Sequence, residues 1–548
     1  MLSLLVSGAG GQGLVASYGA HGLERLSYRG TVLADVGVHP EDAFHIWHMQ
    51  ARDAAGKVRT DGQYGWGENN SGKAWDAATK TWTYEYVWGT IRTTYVQRGD
   101  VLDVVVTEAN KPGSGVVFDG GVVYAVTLRG VKASGSLADN VDGPGVSMGE
   151  FAGGVLAVVV PDAAKPLYSG FQPGKDGAMA VVASGTAPDS LGPGAVKRVR
   201  PVEPGQTETF TLSLRFGPVG STGTRLGADA YRSFTARWPQ RLDWKDRRVI
   251  GTVYLASSPQ GDKTVAAGYR TNPRRYFTDE SLDVKDVGRF QGKVLDQAEA
   301  IVTNLRRMNA QGMITWDIEG EEYPQDTSYV CAPDQIAQVA PEMELPVVDK
   351  ASKYVGMKLD DAYFKTIRDA GFRVGVCVRP QRFVMGGDRR ARQEFVKDAD
   401  VAGELIRKMR WAHERWGATI FYLDSTVETD GSTLGAGVIE EAAAAMPDSL
   451  VIPEESNTRM YRVGAPFMTF LFHGDTGTSA AVHAVYPRGF GVNMVNDVDA
   501  GKLMEHRLAL TEAVRRGDVL MVHAEYWHAN NERVMEIYRE AKRPGAGQ

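Results

Sequence analysis

The sequence predicts a multidomain protein: an antiparallel β-sandwich over residues 1–225, a linker helix over 226–248 and an α/β (β/α)8 TIM barrel over 249–548. Three observations predict it. The chain has 548 residues, more than a single hydrophobic core usually organises. Its first part is rich in Gly, Thr and Val, in runs that alternate with period two. From Val249 onward, short apolar runs alternate with amphipathic helical stretches, the pattern of repeated βα units.

The sandwich is clearest at Thr209–Phe216. Phe210, Leu212, Leu214 and Phe216 fall on one face, and Thr209, Thr211, Ser213 and Arg215 on the other. Val101–Thr107, Val122–Leu128 and Val155–Val160 are further strands, separated by Gly, Pro, Asn and Asp clusters. Trp66, Trp75, Trp82 and Trp88 read as sandwich core and loop packing, with a sugar platform as the alternative.

Barrel strands are expected at Val249–Ala256, Gly312–Ile318, Arg373–Arg379, Thr419–Asp424, Leu450–Glu454, Met468–Phe472, Gly489–Val495 and Val519–His523. Helices are expected near Gly288–Met308, Asp360–Ala370, Gln393–Trp416, Val438–Ala445, Ala500–Arg515 and Glu532–Ala541. Eight such strands in this length suit a barrel of about 250 residues with loop insertions, and Glu319–Lys358 reads as one insertion. An open doubly wound sheet is the alternative.

Formal net charge is −6, so the concentrated positive patch that nucleic acid requires is not expected. No run approaches the roughly 18 apolar residues of a membrane span. Cys331 and Cys377 are too few for a disulfide framework or a cysteine-rich zinc site, and they leave the compartment open. Met1–Ser7 is apolar but short for a signal peptide; a secreted or periplasmic location is expected if a leader has been trimmed. Oligomeric state has no signature in the sequence.

Gly8, Gly10 and Gly13 match the dinucleotide fingerprint G-x-G-x-x-G, between the apolar run Leu2–Val6 and a possible helix at Leu14–Leu26. Asp35 lies at about the spacing of the ribose-binding acid. An N-terminal dinucleotide-binding oxidoreductase is therefore an alternative, although no further βαβ units follow.

In a barrel the strand C-termini converge on one mouth. An unpaired carboxylate is costly in a core, so an apolar strand that ends in an acid fits there. Thr419–Asp424 places Ile420, Tyr422 and Asp424 on one face, with Phe421 and Leu423 toward the helices. In Leu450–Glu454, Leu450, Ile452 and Glu454 share a face, which favours Glu454 over Glu455 as the inward acid. Asp317 and Glu319 are read on one face with Thr315, opposite Trp316 and Ile318, with Glu321 and Glu322 extending an acidic rim. Arg379 and Gln381 end the third strand, where a guanidinium would keep nearby carboxylates ionised. Asp497 follows the seventh strand; His523, Glu525 and Trp527 end the eighth, with aromatic surface for a sugar ring.

Sandwich, barrel, Tyr422 and Asp424 on strand four, and Pro453 and Glu454 on strand five together resemble the retaining glycoside hydrolases of the α-amylase type. The resemblance covers the barrel, about half of the chain. It implies Asp424 as nucleophile and Glu454 as acid/base in hydrolysis or transfer of glycosidic bonds. Asp317, Glu319, Arg379, Gln381, Tyr422, Glu455, Asp497, His523, Glu525 and Trp527 are the expected substrate-binding residues. The partner is then an oligo- or polysaccharide, with no cofactor and no metal called for. A noncatalytic carbohydrate-binding protein is the alternative from another class.

Overall fold

The computed structural model describes residues 13–59, 61–134, 141–185, 201–254, 286–316, 318–319, 330–385, 391–429, 431, 433–470, 474, 476–496 and 499–542. The chain divides into two compact units, Met1–Pro239 and Gln240–Gln548. Among the described residues, no helix is long and apolar enough to cross a membrane.

The first unit holds antiparallel sheets of eight, five and three strands. Its core follows from period-two alternation. Thr207–Gly217 pairs with Val101–Asn110 so that Phe210 faces Val106, Leu212 faces Val104 and Leu214 faces Leu102. All six are buried, as directly opposed apolar pairs should be. Trp82 and Trp88 join this core, Trp88 stacked on Phe118 with centroids 3.8 Å apart. The helix Ala228–Arg237 packs on the same unit, with Ala230 against Ala157 and Val159.

The dinucleotide alternative fails here. Leu14–Gly19 and Gly22–Tyr28, expected as one helix, are antiparallel strands, and Thr31–Asp35 pairs with the second of them. The reversal between Gly19 and Gly22 uses the positive φ of +80° at Gly22, which a glycine adopts without strain. A dinucleotide fold needs parallel strands around a βα turn, and the described strands of this unit pair antiparallel. Gly8 and Gly10 lie outside the described residues.

The second unit holds eight parallel strands: β1 (Ile250–Val253), β2 (Gly312–Thr315), β3 (Arg373–Val378), β4 (Ala418–Leu423), β5 (Leu450–Pro453), β6 (Phe467–Thr469), β7 (Val492–Met494) and β8 (Val519–His523). They pair in the order β5-β4-β3-β2-β1-β8-β7-β6. The remaining seam, between β5 and β6, is crossed by a hydrogen bond from Ala465 N–H to Val451 O at 2.9 Å. Among the described residues the result is a nearly closed parallel barrel rather than a doubly wound sheet, with each expected strand represented. Its inside is packed: Ile250, Ile314, Ile420, Leu450, Ile452, Val492, Val519 and Met521 form one buried cluster. The alternate residues Met313, Val376, Phe421, Val451 and Val522 meet the helices instead.

The helices between strands are α1 (Val287–Met308), α2 (Leu359–Asp369), α3 (Asp398–Trp416), α4 (Ala436–Ala445), α5 (Ala480–Val485), α6 (Ala500–Glu505), α7 (Arg507–Arg516) and α8 (Ala529–Ala541). Two expected helices change. The one expected from Gln393 begins at Asp398, because Ala391–Glu394 pairs with Arg382–Met385 as a small hairpin. The one expected over Ala500–Arg515 breaks at His506 into α6 and α7. Of the expected insertion, residues 330–358 form short helical turns, including Pro333–Gln335 and Pro341–Glu344.

Candidate active site

The C-terminal ends of β3, β4 and β5 bring three charged side chains together. Asp424 follows β4, its N–H donating to Val378 O. It is buried, and Arg379 donates to its Oδ2 from Nε at 2.9 Å and from Nη2 at 2.6 Å. Arg379 is held from behind: the buried Lys408 of α3 donates to the carbonyls of Arg379 and Gln381 at 2.9 and 2.5 Å. Burial lowers the Lys408 ammonium to about 8 against the opposing pull of Glu404.

Glu454 follows β5, with its N–H on Leu423 O. Its Oε2 accepts the Ser425 N–H at 2.6 Å. Ser425 has a φ of +52°, a left-handed conformation rare for a residue with a side chain and frequent where strain serves a site. The Asp424 carboxyl and the Tyr422 hydroxyl are polar neighbours of Glu454. Burial, and next the Asp424 charge, push Glu454 up to about 7. Burial and the same two carboxyls push Tyr422 well above its ordinary value. The surroundings of the two acids differ: Asp424 is paired with a guanidinium, and Glu454 holds its proton near neutrality.

This proton has a stability consequence. The folded value of Glu454 lies above its ordinary 4.5, so protonation favours the fold. That contribution is complete below the ordinary value and is lost as pH rises through about 7. Glu454→Gln should therefore gain up to ~3 kcal/mol on wild type between pH 5 and pH 8. Urea melts across that range check it; a constant difference would remove the shift.

A wall of rings lies inside the mouth. Trp316 contacts Tyr254 at 5.3 Å and Tyr422 at 4.7 Å between centroids, and Tyr422 contacts Phe467 at 5.1 Å. Beside Asp424 runs a disulfide between Cys331 and Cys377. The sulfurs lie 3.6 and 4.0 Å from Asp424 Oδ2. The two cysteines, too few for a framework, thus form one bridge that pins the inserted segment to β3.

The other expected site residues disperse. On β2 the inward side chains are Ile314 and Trp316, whereas Thr315 faces the helices and bonds the Tyr363 hydroxyl at 3.1 Å. The face read for this strand is therefore reversed. Glu319 is buried and accepts the Ala332 N–H at 2.6 Å, so it anchors the chain there. Gln381 donates to Ser425 O at 3.0 Å, tying β3 to the turn after β4. The backbone of Glu455 is clamped by the Thr426 hydroxyl. Glu525 turns inward onto His523 Nδ1 (2.8 Å) and the Ala524 N–H, and burial raises its pKa. Trp527 lies on the helix side with the Arg307 guanidinium 3.4 Å over its ring and its indole N–H on Glu532. Tyr526 is the residue that stacks on His523, at 4.6 Å. Asp317, Glu321, Glu322 and Asp497 lie outside the described residues.

A cavity of about 380 Å³ lined by Arg241, Trp244, Glu440 and Ser449 does not coincide with these acids. Ser449 precedes β5, so the cavity lies at the opposite, N-terminal end of the strands, where barrels place stability determinants.

No protein-family model matches the chain, and no curated protein matches it. Among solved structures it is similar to the α-N-acetylgalactosaminidase NagBb from Bifidobacterium bifidum. The complex of that enzyme with GalNAc gives a TM-score of 0.52 at 10% identity, over 97% of this chain and 92% of that one. The complex with Gal-NHAc-DNJ gives 0.53 over the same shares, also at 10% identity. The chain therefore shares the fold of that enzyme.

Proposed function

We propose that the protein is a glycoside hydrolase that cleaves an oligo- or polysaccharide, with Asp424 as nucleophile and Glu454 as acid/base. One observation carries the reading: of two carboxyls on adjacent strand ends, Asp424 is paired with Arg379, while burial and the Asp424 charge raise Glu454. Glycosidic cleavage needs that pair, one acid ionised to attack and one protonated to release the leaving oxygen.

We infer retention, and the Asp424 charge acting on Glu454 supports a close pair. Inversion requires about 6.5–9.5 Å between the carboxyls to seat a water, whereas retention works at about 5–5.5 Å. Asp424 attacks the anomeric carbon while Glu454 gives its proton to the departing oxygen; Glu454 then takes a proton from the water that releases the sugar. Tyr422 and the Ser425 N–H hold Glu454 in place. The (β/α)8 arrangement supports this reading by putting both acids at one mouth.

The test is turnover of a panel of aryl α- and β-glycosides, including N-acetylgalactosaminides because of the neighbour's activity, with the product anomer followed by NMR. Retained configuration is expected; an inverted product rejects the nucleophile role, and binding without turnover of any glycoside favours a noncatalytic sugar-binding protein. As Glu454 must be protonated in the free enzyme, kcat/KM should fall as pH rises through about 7, roughly tenfold per unit beyond it. A flat profile from pH 6 to 9 contradicts the acid assignment.

A further inference from the structure

The sandwich unit carries a feature that acid/base chemistry does not use. Trp47 and Trp66 remain 38% and 39% exposed, although Trp82 and Trp88 of the same region are buried. The two indoles meet with centroids 4.5 Å apart at 53°. They continue into a row of rings: Tyr124 is 6.4 Å from Trp47, and His45 stacks on Tyr124 at 4.4 Å. The Tyr124 hydroxyl donates to Gln172 Oε1 at 2.9 Å, so polar groups border the rings.

The arrangement is built rigidly. The loop bearing Trp66 is fixed to the strand bearing Trp47 by Gly67 N–H to Trp47 O at 2.6 Å and Met49 N–H to Gly65 O at 3.3 Å. The Tyr86 hydroxyl donates to Gly67 O at 2.5 Å. A Cβ on Gly67 would come within 2.2 Å of Ile46 O, so only glycine permits so close an approach. Such a preorganised surface loses little conformational freedom on binding.

The exposed ring area suits a small occupant. A fully exposed aromatic side chain offers up to about 250 Å², so the exposed parts of Trp47 and Trp66 amount to roughly 200 Å². A protein partner needs about 800 Å² on each side. One or two pyranose rings need far less, and they present an apolar C–H face to an aromatic ring with hydroxyls at the edge for polar neighbours. We propose that Trp47 and Trp66 form a saccharide-binding platform on the β-sandwich for pyranose units of a glycan. The choice of a sugar over other small amphipathic ligands rests on the hydrolase reading above.

The experiment is affinity electrophoresis of the full chain in Asp424→Asn form, which separates binding from turnover. The gels contain starch, β-glucan, galactomannan, xylan, pectin or mucin. Retardation by at least one matrix is expected. Trp47→Ala or Trp66→Ala should weaken it about tenfold, the scale of one lost aromatic contact, while Trp66→Phe keeps part of it. Gly67→Ala, which must displace the loop, should weaken retardation with both indoles still present. Thermal melts identify any variant that fails to fold. No retardation in any gel, or retardation unchanged in the folded Trp47→Ala/Trp66→Ala double variant, overturns the platform. Trp-dependent retardation beside a wild type inert on every aryl glycoside would sink the hydrolase reading alone. Turnover without Trp-dependent retardation sinks only the platform.

Discussion

Asp424→Asn is expected to lose at least about 10⁴-fold in kcat on aryl and natural glycosides alike, ~5.5 kcal/mol of barrier. The amide keeps the shape but lacks the charge that attacks the anomeric carbon, so no glycosyl-enzyme intermediate forms. Asparagine suits this test better than alanine for a reason in the structure. Arg379 is buried and directs two donors at Asp424 Oδ2. A side-chain carbonyl still accepts from it, whereas alanine would strand a buried guanidinium at a cost of about 3–5 kcal/mol. The folded Asn variant should therefore melt above the Ala variant. Near-normal turnover in folded Asp424→Asn would move the nucleophile elsewhere.

Glu454→Gln should divide substrates by leaving group. Poor leaving groups, which must be protonated as they depart, lose roughly 10²–10⁴-fold; dinitrophenyl glycosides, which need no proton, lose far less in the first step. Glutamine can still accept the Ser425 N–H that Glu454 accepts at 2.6 Å, so a uniform loss could not be blamed on displacement. In Glu454→Ala, added azide should occupy the vacated space, attack the glycosyl-enzyme and restore turnover as a glycosyl azide of retained configuration. Equal loss on both substrate types, with no effect of azide, would make Glu454 a binding residue.

Strand faces were readable wherever small and aliphatic side chains alternate without competition. On β4 and β5 the order Ile420–Tyr422 and Leu450–Ile452 places those residues inside the barrel, and Asp424 and Glu454 follow in the same register. On β2 the same rule misled, because Thr315 and Trp316 invert the usual polarity. The barrel interior takes the indole, while the threonine hydroxyl finds a partner in Tyr363 on the helix side. Glu319 looked like a rim acid because sequence does not reveal that a distant backbone N–H, that of Ala332, would claim it. Trp527 looked like a sugar platform because the covering Arg307 comes from α1, far away in sequence. The fingerprint of Gly8, Gly10 and Gly13 carried no information on strand direction, which the antiparallel pairing beyond it decides. The Cys331–Cys377 bridge and Lys408 could not be read either, since both depend on which segment crosses the end of β3.

The seam between β5 and β6 gives the two acids different mechanical situations. β4 is flanked by paired strands on both sides, whereas the described ladder of β5 ends at β5 and continues only through the Ala465–Val451 hydrogen bond. Asp424 thus follows a strand paired on both sides and is braced by Arg379, whereas Glu454 follows a strand at which the described ladder ends. On the proposed roles, opening of the seam would shift the proton donor while leaving the attacking oxygen and its guanidinium in register. A nucleophile must meet one carbon along one line; an acid that later acts as a base must follow first a departing oxygen and then an arriving water. The described ladder would then yield first under the group whose proposed task has two positions.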